Sequence, residues 1–210
     1  MRLGVTFRIV GGLLMFFSAT MLPPLFVSVF YQDGAHAIFI KAAAVIFASG
    51  FSLWLLFRRF TEALRTKDGF LVTVLCYITL GCFSALPFTD SPNTALSLVD
   101  ALFESFSGLT TTGATVMIGL ESLPQSLLYY RQQLQWLGGM GIIVLAVAVL
   151  PMLGIGGMQL YRTETPGPVK DSKLTPRIKQ TAMALWSIYL SLTIACCLGY
   201  WVAGMSFFQA

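Results

Sequence analysis

The chain has 210 residues, of which 56% are hydrophobic and only 10% charged. A soluble domain carries about 25% charged residues, so this composition excludes an ordinary soluble enzyme, and its apolar character also excludes a disordered chain. The net charge of +4 comes from 13 Lys and Arg against 9 Asp and Glu. In so apolar a chain, the positions of these charges indicate the topology.

Charged residues divide the sequence into apolar runs long enough to cross a bilayer, which takes about 20 residues. The first run, 9–32, contains Pro23 and Pro24, which we expect to kink or end its helix near the outer side. The length of this run predicts a retained helix rather than a cleaved signal peptide. Together the runs predict an all-α integral membrane protein with further spans at 34–57, 69–89, 132–161 and 180–210.

The basic residues predict the orientation, because Lys and Arg resist translocation across the membrane. With a cytoplasmic N-terminus, all of the 13 Lys and Arg except Lys41 and Arg131 lie in inner segments. We therefore expect a multi-pass protein whose N-terminus and segments 58–67 and 162–179 are cytoplasmic. Five crossings from this start place residue 210 outside.

Residues 91–131 do not fit a simple crossing, because the spans on either side have their outer ends on the same side of the membrane. Residues 95–107 have the apolar spacing of a short helix, which runs into a Thr/Gly-rich stretch. Non-helical backbone at membrane depth is tolerated only where it is buried in protein or lines a water-filled path. The segment is therefore predicted to lie outside or to dip in and return. In the second case residues 110–113 are expected as extended backbone in the outer third of the membrane.

A short helix followed by a Thr/Gly turn suits a cation filter, because backbone carbonyls can replace the hydration shell of a potassium ion. Gly113 permits a positive φ, and the partially negative end of the helix favours a cation. An outer loop with a helical turn fits the same residues. Asp100 and Glu104, one turn apart, fit either a carboxylate pair at an ion path or solvated or paired residues of a vestibule wall.

Several longer strings carry a family resemblance. Residues 103–115, FESFSGLTTTGAT, resemble the first pore loop of Trk-type bacterial potassium uptake proteins. The same family is resembled by QWLGGMGIIV at 135–144, by LGIGGMQLYR at 153–162, and by PGP, KD and PR between 166 and 177. The resemblance extends over essentially the whole chain, and the two N-terminal helices are similar to the extra pair that precedes the pore units in the TrkH branch.

The resemblance implies a fold of four helix–pore-loop–helix units around one pore, each contributing one filter segment. It implies two N-terminal helices with a cytoplasmic loop at 1–68, a first pore unit at 69–157, a second cytoplasmic loop at 158–180 and the first helix of a further unit at 181–210. Within the pore unit it implies a pore helix at about 95–107, a filter at 110–113 and an inner helix at about 132–153. The implied potassium ligands are Thr110, Thr111, Thr112 and Gly113.

The resemblance also implies potassium uptake across the bacterial inner membrane, with K⁺ as the transported ion and no organic cofactor. The implied partners are a second copy of the pore subunit, a cytosolic nucleotide-binding regulatory ring and membrane lipid, and no nucleic acid. The sequence has no Walker-type or His-Glu-x-x-His motif, which favours a transporter over an enzyme.

Family chains are more than twice as long, so the 210 residues are expected to be a fragment or a natural truncation with one of four filter segments. One segment surrounds at most one quadrant of a dehydrated ion. A non-conducting membrane scaffold is therefore an alternative function. One segment also leaves open the choice between potassium and sodium, and symport with sodium or protons.

Overall fold

The computed structural model describes residues 3–61, 66–90, 96–149 and 174–210. These ranges consist of helices joined by turns and loops and contain no strand, which confirms the predicted all-α class. The described chain has four helical segments long and apolar enough to cross a membrane: Leu3–Tyr31, His36–Phe57, Asp68–Thr89 and Ala182–Val202. The chain divides into two compact units, Met1–Gly139 and Met140–Ala210.

The first span is broken in the middle. Helix α1 (Leu3–Ala19) is followed, after a two-residue turn, by helix α2 (Leu22–Tyr31), which has Pro23 and Pro24 in its first turn. Proline has no N–H and cannot continue the hydrogen bonding of a helix that precedes it. The proline pair therefore ends α1, as predicted.

Helix α3 (His36–Phe57) packs closely along α1. A Cβ added to Gly11 would lie 2.8 Å from the carbonyl oxygen of Gly50, and a Cβ added to Gly50 would lie 2.8 Å from that of Gly11. Neither position has room for a side chain. The two glycines thus let the backbones of the N-terminal helix pair touch, as small residues do between membrane helices.

Helix α4 (Thr66–Ser84) leads through the short helix α5 (Leu86–Thr89) to helix α6 (Leu98–Leu109), which occupies the place predicted for the pore helix. The hydroxyl of Ser97 caps α6 by accepting the amide of Asp100 at 3.2 Å. Ser105 Oγ donates to the carbonyl oxygen of Gly81 at 2.5 Å and thereby fixes α6 against the end of α4. Helix α6 continues to Leu109 rather than ending at 107.

A 3₁₀ turn (Leu120–Ser122) precedes helix α7 (Gln125–Val149). The predicted inner helix began at about 132, because the prediction treated the charge of Arg131 as a boundary. Arg131 is buried in an ion pair, so its charge does not interrupt α7. Helix α8 (Leu174–Val202) belongs to the second unit and begins before the predicted residue 181. Residues 150–173, which include most of the second predicted loop, lie outside the described ranges.

An aromatic cluster joins α3, α5 and α7 in the core of the first unit. The ring of Tyr130 lies 5.7 Å from that of Phe39 and 5.3 Å from that of Phe88, and all three side chains are fully buried. The Tyr130 hydroxyl donates to the carbonyl oxygen of Ser84 at 2.9 Å, so its polar end is satisfied. The cluster holds α7 beside the end of α4, where α6 also packs.

Candidate ion filter at the end of the pore helix

The loop after α6 begins with a left-handed turn. Thr111 has a φ of +57°, the amide of Thr112 donates to the carbonyl of Ser107, and the amide of Thr111 donates to that of Gly108, both at 2.9 Å. This pair of bonds is the Schellman motif, in which glycine usually takes the left-handed position. A β-branched residue there costs about 1–2 kcal/mol, so other contacts must hold the turn.

The expectation of extended backbone at 110–113 is wrong for Thr110, Thr111 and Gly113. Thr110 and Thr111 form the turn because they satisfy the last carbonyls of α6, and irregular backbone follows from Thr112. Gly113 has a φ of +74°, a conformation that glycine adopts without penalty. Side chains 110–116 are exposed, so the predicted ligands Thr110, Thr111, Thr112 and Gly113 form one accessible segment.

Hydroxyl groups tie the loop back to the end of α6. Thr110 Oγ1 donates to the carbonyl of Phe106 at 2.8 Å and lies 2.8 Å from Thr112 Oγ1. Ser107 Oγ donates to the carbonyl of Ala114 at 2.7 Å, which spans the loop from its start to its far side. These bonds restrict the loop without placing apolar bulk beside it.

A buried ion pair holds the far side of the loop. Glu104 is 1% exposed and Arg131 is 8% exposed, and Arg131 Nε donates to Glu104 Oε2 at 3.1 Å. Glu104 Oε1 accepts from Thr115 Oγ1 at 2.5 Å and from the amide of Val116 at 2.6 Å. A buried charge is tolerated only when it is paired and hydrogen-bonded, and both carboxylate oxygens meet that condition. One side chain on α6 therefore fixes both the returning loop and α7.

The same arginine reaches the backbone of the predicted filter segment. A terminal guanidinium nitrogen of Arg131 donates to the carbonyl oxygen of Gly113 at 3.3 Å. A carbonyl oxygen has two lone pairs, so this long bond leaves one for a cation. The positive charge of Arg131 is balanced by Glu104, and the pair adds no net charge beside the segment.

Asp100 and Glu104 have separate environments. Asp100 accepts a hydrogen bond from Ser97 Oγ at 2.7 Å in the first turn of α6, whereas Glu104 is paired with Arg131. The interpretation of the two as a carboxylate pair is therefore wrong. The sequence analysis does not identify the role of Arg131, although Arg131 is one of only two basic residues in the segments predicted to lie outside.

Two glycines allow α6 and α7 to approach each other next to the loop. A Cβ on Gly138 would overlap the carbonyl group of Leu109, the last residue of α6. A Cβ on Gly108 would lie 3.0 Å from Cβ of Leu134. Helix α7 therefore rests directly on the turn from which the predicted filter segment starts.

A groove borders Thr110 and Thr112 of this segment. The groove has a volume of about 350 Å³ and runs along α6 to the loop. Its lining is mostly apolar and consists of Val99, Leu102, Phe103, Phe106, Ser107, Thr110 and Thr112.

Residues 35–208 match the family model described as TrkH, cation transport protein. The Trk system potassium uptake protein TrkH of Halomonas elongata is 56% identical over 210 residues, which are 100% of this chain and 44% of the relative. TrkH of Vibrio parahaemolyticus is 58% identical over 203 residues, 97% of this chain and 42% of the relative. TrkG of Escherichia coli is 46% identical over 200 residues, 95% of this chain and 41% of the relative.

The fold is similar to the crystal structure of the potassium transporter TrkH from Vibrio parahaemolyticus, with a TM-score of 0.85 and 50% identity. The similarity covers 99% of this chain and 41% of that chain. The chain thus spans less than half the length of the relatives and the solved structure that it matches.

Proposed function

The chain belongs to the TrkH family of cation transport proteins, and from this membership we propose that it takes part in potassium uptake and supplies one segment of the ion filter. It is a multi-pass membrane protein of a transport family and not an enzyme. In the proposal, backbone carbonyls of Thr110, Thr111, Thr112 and Gly113 replace part of the hydration shell of a potassium ion.

The observation that carries the proposal is an exposed, non-helical loop held at the end of a short helix by buried contacts. A filter needs accessible carbonyls that do not move when the ion loses its water. The Schellman turn and the Glu104–Arg131 pair support such rigidity from both ends of the loop. The C-terminal end of α6 adds a partial negative charge close to the segment.

The proposal includes a topology and partners. The distribution of Lys and Arg supports a cytoplasmic N-terminus, and the bacterial relatives support a place in the inner membrane. One segment covers one side of an ion, so the remaining oxygens must come from further filter segments of a complete transporter. Family membership leads us to include a second copy of the pore subunit and a cytosolic nucleotide-binding regulatory ring as partners.

The test is a chimera in which residues 1–210 replace the matching N-terminal segment of TrkH from Vibrio parahaemolyticus. It is expressed in bacteria that lack their own potassium uptake systems, and growth at low potassium and uptake of potassium are measured. The control carries alanine at all four positions 110–113. We expect uptake by the parent chimera and none by the control at equal amounts in the membrane.

Two results would contradict the proposal in different ways. A control that transports at the parent rate would show that residues 110–113 do not line the filter. A parent chimera that reaches the membrane without transporting would instead favour a non-conducting scaffold.

A further inference from the structure

We propose that the N-terminal helix pair, which consists of the broken first span (α1 and α2) and α3, is a brace that positions α7 and, through α7, the filter loop. Asp33 and Gln133 are the positioning residues of this brace. The proposal rests on the proposed function, because it assigns the helix pair a part in filter geometry.

The first contact between the brace and α7 is a hydrogen bond to a carbonyl group that the break in the first span leaves without a helical N–H donor. In a continuous helix the carbonyl of Thr20 would accept the amide of residue 24, but Pro24 has no N–H. Gln133 Nε2 on α7 donates to this carbonyl oxygen at 2.6 Å. The break thus creates the acceptor to which α7 is attached, across 113 positions of sequence.

The second contact between the brace and α7 is a hydrogen bond at the start of α7. Asp33, in the loop between α2 and α3, accepts the amide of Ser126 on Oδ2 at 2.9 Å. Its other oxygen accepts from Ser28 Oγ at 2.5 Å and from the amide of Ala35 at 3.0 Å. A carboxylate at a helix N-terminus satisfies a free amide and complements the helix dipole. Burial alone would raise the pKa of Asp33, but hydrogen bonds from Ser126, Ser28 and Ala35 outweigh burial and hold the pKa below its usual 3.8.

Helix α7 uses different faces for its two neighbours. Arg131, Leu134 and Gly138 recur at helical spacing and contact Glu104, the last turn of α6 and the filter backbone. Ser126, Tyr130 and Gln133 recur at the same spacing. They contact, in that order, the loop before α3, the ring of Phe39 on α3 and the carbonyl of Thr20 in the turn after α1. A shift of α7 at the second face therefore moves the groups on the first face.

This coupling makes filter geometry depend on the brace. Gly113 is held by Arg131 at 3.3 Å, and Leu109 has no free space against Gly138. Small displacements of α7 would lengthen the first contact or compress the second. Loss of a hydrogen bond between the brace and α7 should therefore alter ion discrimination and not only the amount of folded protein.

The experiment compares variants of the parent chimera. Gln133→Leu removes the donor and keeps the side-chain size, and Asp33→Ala removes both acceptor oxygens. Asp33→Asn keeps an oxygen that accepts from Ser126 and serves as the conservative variant. The matched control is Lys41→Gln, which breaks the exposed Lys41–Asp90 ion pair of 2.6 Å without touching α7. The readout is the ratio of potassium to sodium uptake per transporter in the membrane.

Gln133→Leu and Asp33→Ala each remove one hydrogen bond to α7, and we expect each to lower this ratio about fivefold. Asp33→Asn should retain most of the ratio, and Lys41→Gln should leave it unchanged. The proposal is overturned if both brace variants show the uptake ratio of the parent, whatever their amount in the membrane. The helix pair would then only stabilise the protein. If these variants do not reach the membrane, Gln133→Asn is measured instead, because its side chain is one methylene shorter. The proposal then requires a lowered uptake ratio in Gln133→Asn, and a parent-like ratio overturns it.

Failure of the brace is distinguishable from failure of the proposed function. A parent chimera that does not carry potassium refutes the proposed function. A parent that discriminates between potassium and sodium, together with brace variants that discriminate equally well, refutes the brace alone.

Discussion

A single methyl group added by Gly113→Ala tests the filter loop with little ambiguity. Gly113 has a φ of +74°, and the atom nearest to an added Cβ is Gln135 Nε2 at 3.9 Å. That distance is an ordinary contact, so the methyl group meets no steric obstacle. The cost is conformational and amounts to about 1–2 kcal/mol for an L residue in the left-handed region.

Either response to this cost changes the filter. If the loop keeps its conformation, the strain is retained in the segment that we propose to bind the ion. If the loop relaxes to a negative φ, the carbonyl of Gly113 rotates away from Arg131 and from the ion position. Since 1.4 kcal/mol corresponds to a factor of ten, we expect a loss of potassium over sodium discrimination of about five- to thirtyfold.

The assay is the uptake ratio of the chimera at matched membrane amounts, and the control is Gly204→Ala. Gly204 has a φ of +99°, nothing lies within 4 Å of an added Cβ, and the residue belongs to the second compact unit. It therefore carries a comparable backbone cost outside the loop. Parent-like discrimination by Gly113→Ala, or an equal loss in both variants, would refute the reasoning.

Three further perturbations address the supports of the loop. Glu104→Gln leaves Arg131 buried without a counter-charge and should lower the free energy of unfolding by about 3–5 kcal/mol, measured by chemical unfolding. A change below about 1 kcal/mol would mean that water solvates the pair. Gly138→Ala must displace the end of α6 and should lower potassium uptake. The control Gly199→Ala should be neutral, because no atom lies within 4 Å of a Cβ added there. Equal uptake by the two variants would contradict the close contact at Gly138. Because the pKa of Asp33 is lowered in the fold, its contribution to stability is complete above pH 3.8 and is lost as the pH falls through the lowered pKa. Thermal stability of the parent should therefore decline more steeply below about pH 4 than that of Asp33→Asn, and equal declines would argue against the charge.

Local signals in the sequence were enough to predict much of the fold. The pair Pro23–Pro24 predicts the break between α1 and α2, because proline acts on its own helix. The short helix before the Thr/Gly stretch follows from the apolar spacing of residues 95–107. Such features depend on residues only a few positions apart, so the local sequence is enough to predict them.

Features that depend on tertiary contacts were missed. The start of α7 was placed too late because a charge was read as a boundary, while its partner Glu104 lies 27 positions earlier. The Asp33–Ser126 contact spans 93 positions and has no local pattern. Thr111 has a left-handed backbone conformation, although glycine is the residue that favours this conformation. The conformation of Thr111 therefore follows from its hydrogen bonds and not from the local sequence.

The buried Glu104–Arg131 pair has a consequence for biosynthesis. Helix α6 has 12 residues, about 18 Å at 1.5 Å per residue, and its central carboxylate has no other charged partner within the described residues. An unpaired carboxylate on a membrane helix costs at most about 2.5–3.5 kcal/mol on insertion scales, which is the value at the bilayer centre. At a translation rate of about 5–20 residues per second, Arg131 is made about 1–5 s after Glu104. For that interval the carboxylate has no counter-charge, so we expect α6 to insert stably only once α7 is available to pair with it.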